Sequence, residues 1–219
     1  MSSGDFNETY ISLRFDDGWK SQLNAYELLK KYNLTGSIYI VSDFMGKEGY
    51  MNWKDVEMIN DTMEIGGHTK THADLRIVPN YEEEIVENYN ELKNRGFNPK
   101  TFVYPYGNYN SDSLKVVKKY YICASTQDVG VNNKKTDKYL LRDFTLRKDN
   151  DIEDVKRAIK NNTWIILTFH DVGEPSSNAP TAVKNNAVSV EFFEEILKYI
   201  KENNIKVIKI EEGCELLLK

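Results

Sequence analysis

Short apolar runs alternate along this chain with longer stretches whose apolar residues recur three and four positions apart. The runs are typical of buried strands and the longer stretches of amphipathic helices. Strands are predicted at residues 10–15, 37–41, 63–65, 101–104, 121–124, 141–145, 164–169 and 206–209. Helices are predicted at residues 21–32, 52–60, 81–95, 111–120, 152–161 and 189–203, followed by a short closing helix. This alternation indicates parallel strands with helical crossovers, in a closed or nearly closed β/α barrel or, alternatively, an open doubly wound sheet.

The length of 219 residues fits one domain over residues 1–219. One segment interrupts the alternation. Residues 172–188 contain glycine, two prolines and several asparagines and serines, which predicts a long loop directly after a buried strand. Long loops inside compact domains are often functional, so this one is a candidate boundary of the site.

Composition excludes several classes of protein. The net charge is −5 and no basic stripe is present, which argues against a nucleic-acid partner. The apolar runs are far shorter than the ~20 residues that cross a bilayer. The first eight residues lack the basic head and apolar middle of a signal peptide, so we expect a cytoplasmic protein or one whose leader has been removed. Cys123 and Cys214 form no CxxC pair, and two idle thiols are favoured over one disulfide.

All three histidines lie in two short polar segments, 68–72 (HTKTH) and 168–171 (TFHD), and a third segment, 15–18 (FDDG), carries two adjacent carboxylates. Each segment follows a predicted strand. Because the carboxyl ends of parallel barrel strands face the same way, we expect these side chains to converge. Histidine is the common neutral metal ligand and titrates near neutral pH, so the pattern favours a metal-dependent enzyme.

His68 and His72 are four residues apart and would share one face of a helical turn. The pair alone is a weak signal. Two histidines and one carboxylate of the Asp16–Asp17 pair would leave open positions on zinc, as a catalytic site requires, and the other carboxylate could take a proton from an activated water. The alternatives are that Asp16–Asp17–Gly18 is a solvated turn and that His170 is a core histidine rather than a general acid.

FDDG, HTxxH, the YPYG of residues 104–107 and the late FHD occur in the order found in the polysaccharide deacetylase family, or NodB-homology domain, which this chain resembles over residues 15–171. The resemblance implies a distorted (β/α)7 barrel that removes N-acetyl groups from amino sugars, or O-acetyl groups in some members. It also implies a divalent metal, with Zn²⁺ expected and Co²⁺, Mn²⁺, Ni²⁺ or Fe²⁺ as alternatives.

Carried over by position, the resemblance implies Asp16 as general base, Asp17, His68 and His72 as metal ligands, the Tyr106 backbone N–H in an oxyanion hole and His170 as general acid. The implied substrate and partner is an acetylated glycan of the N-acetylglucosamine type. Enzymes that resemble this one usually act outside the cell or on the cell wall. The sequence leaves the oligomeric state open.

The chain departs from the family pattern at three places. Val103 stands where an arginine usually supports the base, and Thr168 stands where a leucine usually precedes the late histidine. The fourth motif is not recognisable, although Arg142–Asp143 lies about where it belongs. The departures spare the metal ligands and concern the residues that orient Asp16 and His170, which fits a slow enzyme or an unusual substrate.

Aromatic side chains near the motifs suggest a platform for sugar rings, formed by Trp19, Tyr106 and Tyr109, whereas Trp53 and Trp164 are expected in the core. Three other functions compete with a carbohydrate deacetylase. They are a small-molecule amide or ester hydrolase on the same scaffold, a carbohydrate-binding module that has lost turnover, and a protein whose metal is only structural.

Overall fold

A barrel of seven parallel strands forms the centre of the molecule. The structure is a computed structural model and describes residues 6–175 and 181–217. The seven barrel strands are β1 (Tyr10–Asp17), β2 (Gly36–Ile40), β3 (Met63–Gly67), β4 (Thr101–Val103), β5 (Cys123–Val129), β6 (Leu141–Thr145) and β7 (Trp164–Phe169). An eighth, two-residue strand, β8 (Lys206–Val207), pairs with the start of β1. The strands pair in the order β2 to β7 and then β1, and β1 also pairs with β2, which closes the barrel. The seven-stranded β/α barrel is therefore confirmed, and the open sheet is ruled out.

Helices surround the barrel, and within the described chain each pair of successive strands except β5 and β6 is joined through at least one helix. They are α1 (Gln22–Tyr32), α2 (Trp53–Ile59), α3 (Tyr81–Asn94), α4 (Ser111–Tyr120), α5 (Ile152–Ala158), α6 (Thr181–Asn185), α7 (Val190–Glu202) and α8 (Ile210–Leu216). Asn52 caps α2, because its side chain accepts from the backbone of Asp55 while the Asp55 carboxylate accepts from Asn52 N–H. None of the helices in the described part of the chain is long and apolar enough to cross a membrane.

Alternate residues of β1 face opposite sides of the barrel wall. Leu13 and Phe15 are fully buried in the cluster that packs the strands against the helices. Arg14 instead reaches Ser125 on β5 and Asp143 on β6, which are not neighbours of β1 in the sheet. Its side chain must therefore cross the barrel interior, as the period of two along a strand requires.

Helix α8 closes the amino-terminal end of the barrel. The buried Glu64 carboxylate on β3 accepts from the backbone N–H of Glu211 at 3.0 Å, and the Ser37 hydroxyl accepts from that of Ile210 at 2.9 Å. Gly213 lies flat against the Trp164 indole, where a Cβ would come within 2.3 Å of the ring. The helix therefore approaches the barrel strands closely.

A disulfide joins this helix to the barrel. Cys123 at the start of β5 and Cys214 in α8 are bonded, with Cα atoms 6.3 Å apart, and both are buried. The prediction of two idle thiols is therefore wrong. The residues are 91 positions apart, and their proximity arises only when α8 packs under the barrel.

Two segments differ from the predicted elements. β5 continues to Val129, past the predicted end at residue 124, through polar residues that form a bulged register with β6. In the predicted loop at 172–188, α6 forms and Val172 bridges to Val188, so the loop contains local structure. Residues 176–180 of that loop lie outside the described residues.

Candidate active site

The predicted chemical residues meet at the carboxyl ends of the strands. Asp16 and Asp17 end β1, His68 directly follows β3, and His170 directly follows β7. Tyr106 lies in the short turn after β4, and its ring contacts that of His72 edge to face at 4.6 Å. The convergence expected from parallel strands is therefore observed.

Asp17, His68 and His72 form a compact group that could hold a metal ion. One ligand atom from each lies within 4.8 Å of the others. Asp17 Oδ1 is 3.3 Å from His68 Nε2 and 3.3 Å from His72 Nε2. Asp17 and His68 are buried, and His72 is partly exposed, so the group is reached from one side.

Hydrogen bonds from neighbouring groups fix which atoms of His68 and Asp17 face each other. His68 Nδ1 lies 2.8 Å from the Val103 carbonyl, which can only accept, so Nδ1 carries a proton and, in the neutral ring, Nε2 presents a lone pair. Trp19 Nε1 donates to Asp17 Oδ2 at 2.9 Å. Asp17 Oδ1 is buried and makes no hydrogen bond within the described residues. An unsatisfied carboxylate oxygen facing an imidazole lone pair fits a bound cation, and the donor set suits zinc.

The electrostatics of the group also favour positive charge between the ligands. Burial alone would raise the pKa of Asp17, but the facing imidazoles of His68 and His72 outweigh it and hold that pKa well below its usual value. Burial alone would lower the pKa of His68, but the carboxylates of Asp17 and Asp16 raise it. Both shifts are what a site built for a cation produces when only protons are available.

The segment that carries the two histidines is a loop, so the prediction of a helical turn is wrong. Thr69 and His72 have left-handed backbone angles, each with φ of 65°. His72 N–H donates to Thr69 Oγ1 at 3.0 Å, and the Glu84 carboxylate on α3 accepts from both the backbone and the hydroxyl of Thr71. The loop reverses the chain and brings the imidazoles together, at a backbone cost typical of functional sites.

Asp16 lies beside the metal cluster without belonging to it. Its Oδ2 accepts from Arg14 at 2.8 Å, while its Oδ1 is buried and has no hydrogen-bond partner in the described chain. Gln22 Nε2 donates to the carbonyls of Asp16 and His170 at 2.6 Å each, which ties the end of β1 to the end of β7. Sequence reasoning missed Gln22, which carries no local signal.

His170 is mostly buried, with 8% of its surface exposed. Its Nδ1 is buried and has no hydrogen-bond partner among residues 6–175 and 181–217. The adjacent Asp171 turns away to accept from Ser21 Oγ at 2.5 Å. The structure thus places His170 at the site, where Gln22 donates to its backbone carbonyl.

The residues at the three departures from the family pattern lie around Arg14. Val103 is fully buried on β4, so this strand offers an apolar side chain where the family pattern has an arginine. Asp143 Oδ2 is 3.1 Å from Arg14 and accepts from Thr168 Oγ1 at 2.5 Å. Arg142 is exposed on the other face of β6, so only the aspartate of the Arg142–Asp143 pair reaches the interior. Arg14 was overlooked, although a charged residue inside a buried strand, two before Asp16, is itself a signal.

The aromatic residues divide differently from the prediction. Trp19 is only 3% exposed and is covered by Tyr50, whose ring stacks on it at 4.1 Å, so Trp19 offers no sugar platform. Tyr106 is 56% exposed at the rim of the site and remains a candidate platform for sugar rings. The partly buried Tyr109 packs on Tyr104.

The two tryptophans expected in the core also differ from each other. Trp164 is fully buried, as predicted. Trp53 is only partly buried, and the Arg95 guanidinium lies 3.9 Å from its ring centroid. Trp53 therefore packs against the edge of the core instead of lying fully inside it.

Comparison with known proteins agrees with this geometry. A family model described as polysaccharide deacetylase matches residues 3–123, more than half of the 219 residues. The poly-beta-1,6-N-acetyl-D-glucosamine N-deacetylase of Staphylococcus aureus is 29% identical over 135 residues, covering 53% of this chain and 47% of that protein. The chain spans about half the length of the curated relatives it matches.

Solved structures share the fold. A Streptococcus pyogenes deacetylase in complex with acetate superposes with a TM-score of 0.64 at 21% identity, covering 68% of this chain and 70% of that one. A Bacillus anthracis protein described as a CE4 family pseudoenzyme superposes with a TM-score of 0.64 at 14% identity, covering 95% of this chain and 66% of that one. At these identities the likeness shows the barrel and not the activity.

Proposed function

Because the chain belongs to the polysaccharide deacetylase family, we propose that it is a metal-dependent hydrolase that removes N-acetyl groups from an amino-sugar polymer or oligomer. The observation that carries the proposal is the Asp17, His68 and His72 group. Asp17 Oδ1 is a buried oxygen that has no hydrogen-bond partner among the described residues, and two imidazole nitrogens lie 3.3 Å from it. Zinc is the expected ion, and it would supply Lewis acidity that lowers the pKa of a water to ~7 and polarises the acetamide carbonyl.

The chain's own residues would move the protons. Arg14 donates to Asp16 Oδ2, whereas Asp16 Oδ1 has no hydrogen-bond partner in the part of the chain that the structure describes. Oδ1 is therefore the atom that would accept a proton from the attacking water. His170, at the end of β7, would give a proton to the leaving amine. The backbone N–H of Tyr106 would donate to the oxyanion that forms as water adds to the carbonyl.

The substrate class is proposed from the relative and from the rim of the site. The Staphylococcus aureus relative is named for a polymer of N-acetylglucosamine. Tyr106 exposes more than half of its surface beside His72, and flat rings of this kind stack on sugar faces. An N-acetylglucosamine polymer or oligomer, rather than a small amide, is therefore the proposed substrate.

We place this activity in an oxidising compartment, outside the cytoplasm. The proposal is supported by the buried Cys123–Cys214 disulfide, since such bonds persist mainly in oxidising environments. Thiol labelling of the protein taken directly from its native cells tests this placement. Full labelling of both cysteines after denaturation, without reductant, would contradict it.

Acetate release from N-acetylglucosamine oligomers, acetylated xylan and peptidoglycan fragments tests the function. The protein is stripped with chelator and then reloaded with zinc or cobalt. Release that appears only after reloading, and on the N-acetylglucosamine oligomers, is the expected result. Release without metal would contradict the metal role, and silence across the panel with metal bound would favour a binding module.

Two variants separate the roles within the site. Asp16→Asn is expected to abolish release while the metal content, measured by elemental analysis, stays at the wild-type level. His72→Ala is expected to lose the metal itself. Near wild-type rates in Asp16→Asn would show that the base has been assigned to the wrong residue.

A further inference from the structure

Arg14 lies at the centre of the barrel interior and is completely buried. Its Nη2 contacts two carboxylates, Asp16 Oδ2 at 2.8 Å and Asp143 Oδ2 at 3.1 Å. Its Nη1 donates to Ser125 Oγ at 2.7 Å and to the carbonyl of Thr126 at 3.3 Å. The guanidinium thus fixes a carboxylate on β1 and one on β6 from a single position.

Asp143 is itself held from a third strand. Thr168 on β7 donates to Asp143 Oδ2 at 2.5 Å, and Thr145 donates to the same oxygen at 3.3 Å. Asp143 does not contact the metal cluster's ligand atoms and is almost fully buried. Its contacts therefore serve Arg14 rather than a substrate.

The electrostatic balance requires the arginine. Burial raises the pKa of Asp143, and the Arg14 charge acts against that rise. A guanidinium remains charged under all ordinary conditions and can bind two carboxylates with directed N–H groups, which an ammonium cannot do as well. A buried carboxylate that loses its cationic partner is strongly disfavoured, so Asp16 and Asp143 both depend on Arg14 for their positions.

We propose that Arg14 is the positioning residue for Asp16, and that Asp143 and Thr168 hold Arg14 in place. The three departures from the family pattern then form one unit: Arg14 does from β1 what an arginine at Val103 would do from β4, and Asp143 and Thr168 support it. The inference rests on the proposed role of Asp16 as base. It predicts that an arginine placed at position 103 can take over the role of Arg14.

The register of the sheet makes that exchange possible. Val103 is paired with Ser125, and Ser125 is the residue whose hydroxyl Arg14 contacts. Val103 is also fully buried in the cluster that contains Leu141 and Ile166 inside the barrel. An arginine at position 103 would therefore enter the space that Arg14→Thr vacates.

The test compares four variants with the wild type: Arg14→Thr, Arg14→Lys, the exchange variant Arg14→Thr/Val103→Arg, and Arg142→Thr. The last places the same substitution on an exposed arginine of β6 as a matched control. For each, kcat and KM for acetate release and the content of bound zinc are measured. Crystal structures of the wild type, Arg14→Thr and the exchange variant give the position of the Asp16 carboxylate.

Arg14→Thr is expected to lower kcat on the order of 100-fold, the scale of a displaced general base, with KM and zinc content unchanged because Arg14 touches neither substrate nor metal ligand. Arg14→Lys is expected to lose about tenfold, because lysine keeps the charge but not the two directed contacts. The exchange variant is expected to recover at least about tenfold over Arg14→Thr. Arg142→Thr is expected to match the wild type.

A kcat within about threefold of the wild type in Arg14→Thr would overturn the proposal, as would an exchange variant that folds and binds zinc but recovers nothing. If Arg14→Thr does not fold, the Arg14→Lys variant becomes the test. A kcat for Arg14→Lys equal to that of the wild type would overturn the proposal. A wild type that releases no acetate would remove the proposed function only. The Asp16 position in the crystals would still decide whether Arg14 sets it.

Discussion

Trp19 connects the aromatic wall of the site to the metal ligands, and its replacement by phenylalanine isolates one hydrogen bond. The indole Nε1 donates to Asp17 Oδ2 at 2.9 Å, while the ring stacks on Tyr50 at 4.1 Å. Trp19→Phe keeps an aromatic ring against Tyr50 and removes the donor. Asp17 would then have one oxygen facing the imidazoles and one buried oxygen without a partner.

The size of the effect follows from what Asp17 loses. Partners that orient a metal ligand are worth about 10- to 100-fold in metal affinity. That range corresponds to about 1.4 to 2.8 kcal/mol, since each tenfold step is about 1.4 kcal/mol. Leaving a buried acceptor unsatisfied costs about 1 to 3 kcal/mol, which agrees with the range for a lost partner of a metal ligand. We expect the zinc Kd of Trp19→Phe to rise by a factor in this range.

Competition between the protein and a chromophoric chelator measures the zinc Kd without reference to activity. Trp53→Phe is the matched control, because Trp53 contacts Arg95 on the outer helices and no metal ligand. Its Kd should equal that of the wild type. A Trp19→Phe protein that is folded and binds zinc within twofold of the wild type would refute the view that the indole orients Asp17.

Three further results are expected. Gln22→Leu should lower kcat by about tenfold with KM retained, because the Gln22 amide joins the end of β1, which carries Asp16, to the end of β7, which carries His170. Steady-state kinetics that match the wild type would contradict this. Replacing Cys123 and Cys214 by alanine should cost about 2 to 5 kcal/mol of unfolding free energy in urea, and an unchanged midpoint would mean that the bond contributes nothing. The hydrogen bond from Lys31 holds the pKa of Glu194 at about 2, below its unfolded value of 4.5. The contribution of ionised Glu194 to folding stability is therefore present above pH 4.5 and is lost as the pH falls toward 2. The stability gap between wild type and Glu194→Gln should therefore shrink between urea titrations at pH 7 and pH 3, and a constant gap would exclude the linkage.

The strand at 164–169 has the predicted bounds, because a run of buried apolar residues between polar turns leaves little choice. The strand at 141–145 also has the predicted bounds, although only Leu141 and Asp143 in it are buried. β5 extends five residues beyond its predicted end, to Val129, through Thr126 and Gln127, whose polarity hides the continuation of the strand beside β6. Sheet pairing overrides local composition there.

The convergence of these side chains was predictable, but their local geometry was not. The order of the strand ends predicted that the two histidines of residues 68–72 meet one carboxylate of the Asp16–Asp17 pair, and the family resemblance implied Asp17; the structure brings Asp17, His68 and His72 close together. The left-handed backbone at Thr69 has no local signal, because no glycine stands there and the loop is held by α3 from outside. The Cys123–Cys214 bond was equally hidden, since it depends on where the last helix packs.

The first strand of the barrel completes its pairing with the last parts of the chain. Tyr10 pairs with Trp164 on β7 and with Lys206 on β8, whereas β2 reaches only Arg14 to Asp17. On the ribosome, β1 emerges before the other barrel strands and must wait for about 150 further residues before β7 covers its edge. Until then the nascent chain is an open sheet with Arg14 uncovered, and contacts this distant in sequence form slowly. A chaperone that shields unpaired strand edges during synthesis would therefore affect the yield of this protein more than its final stability.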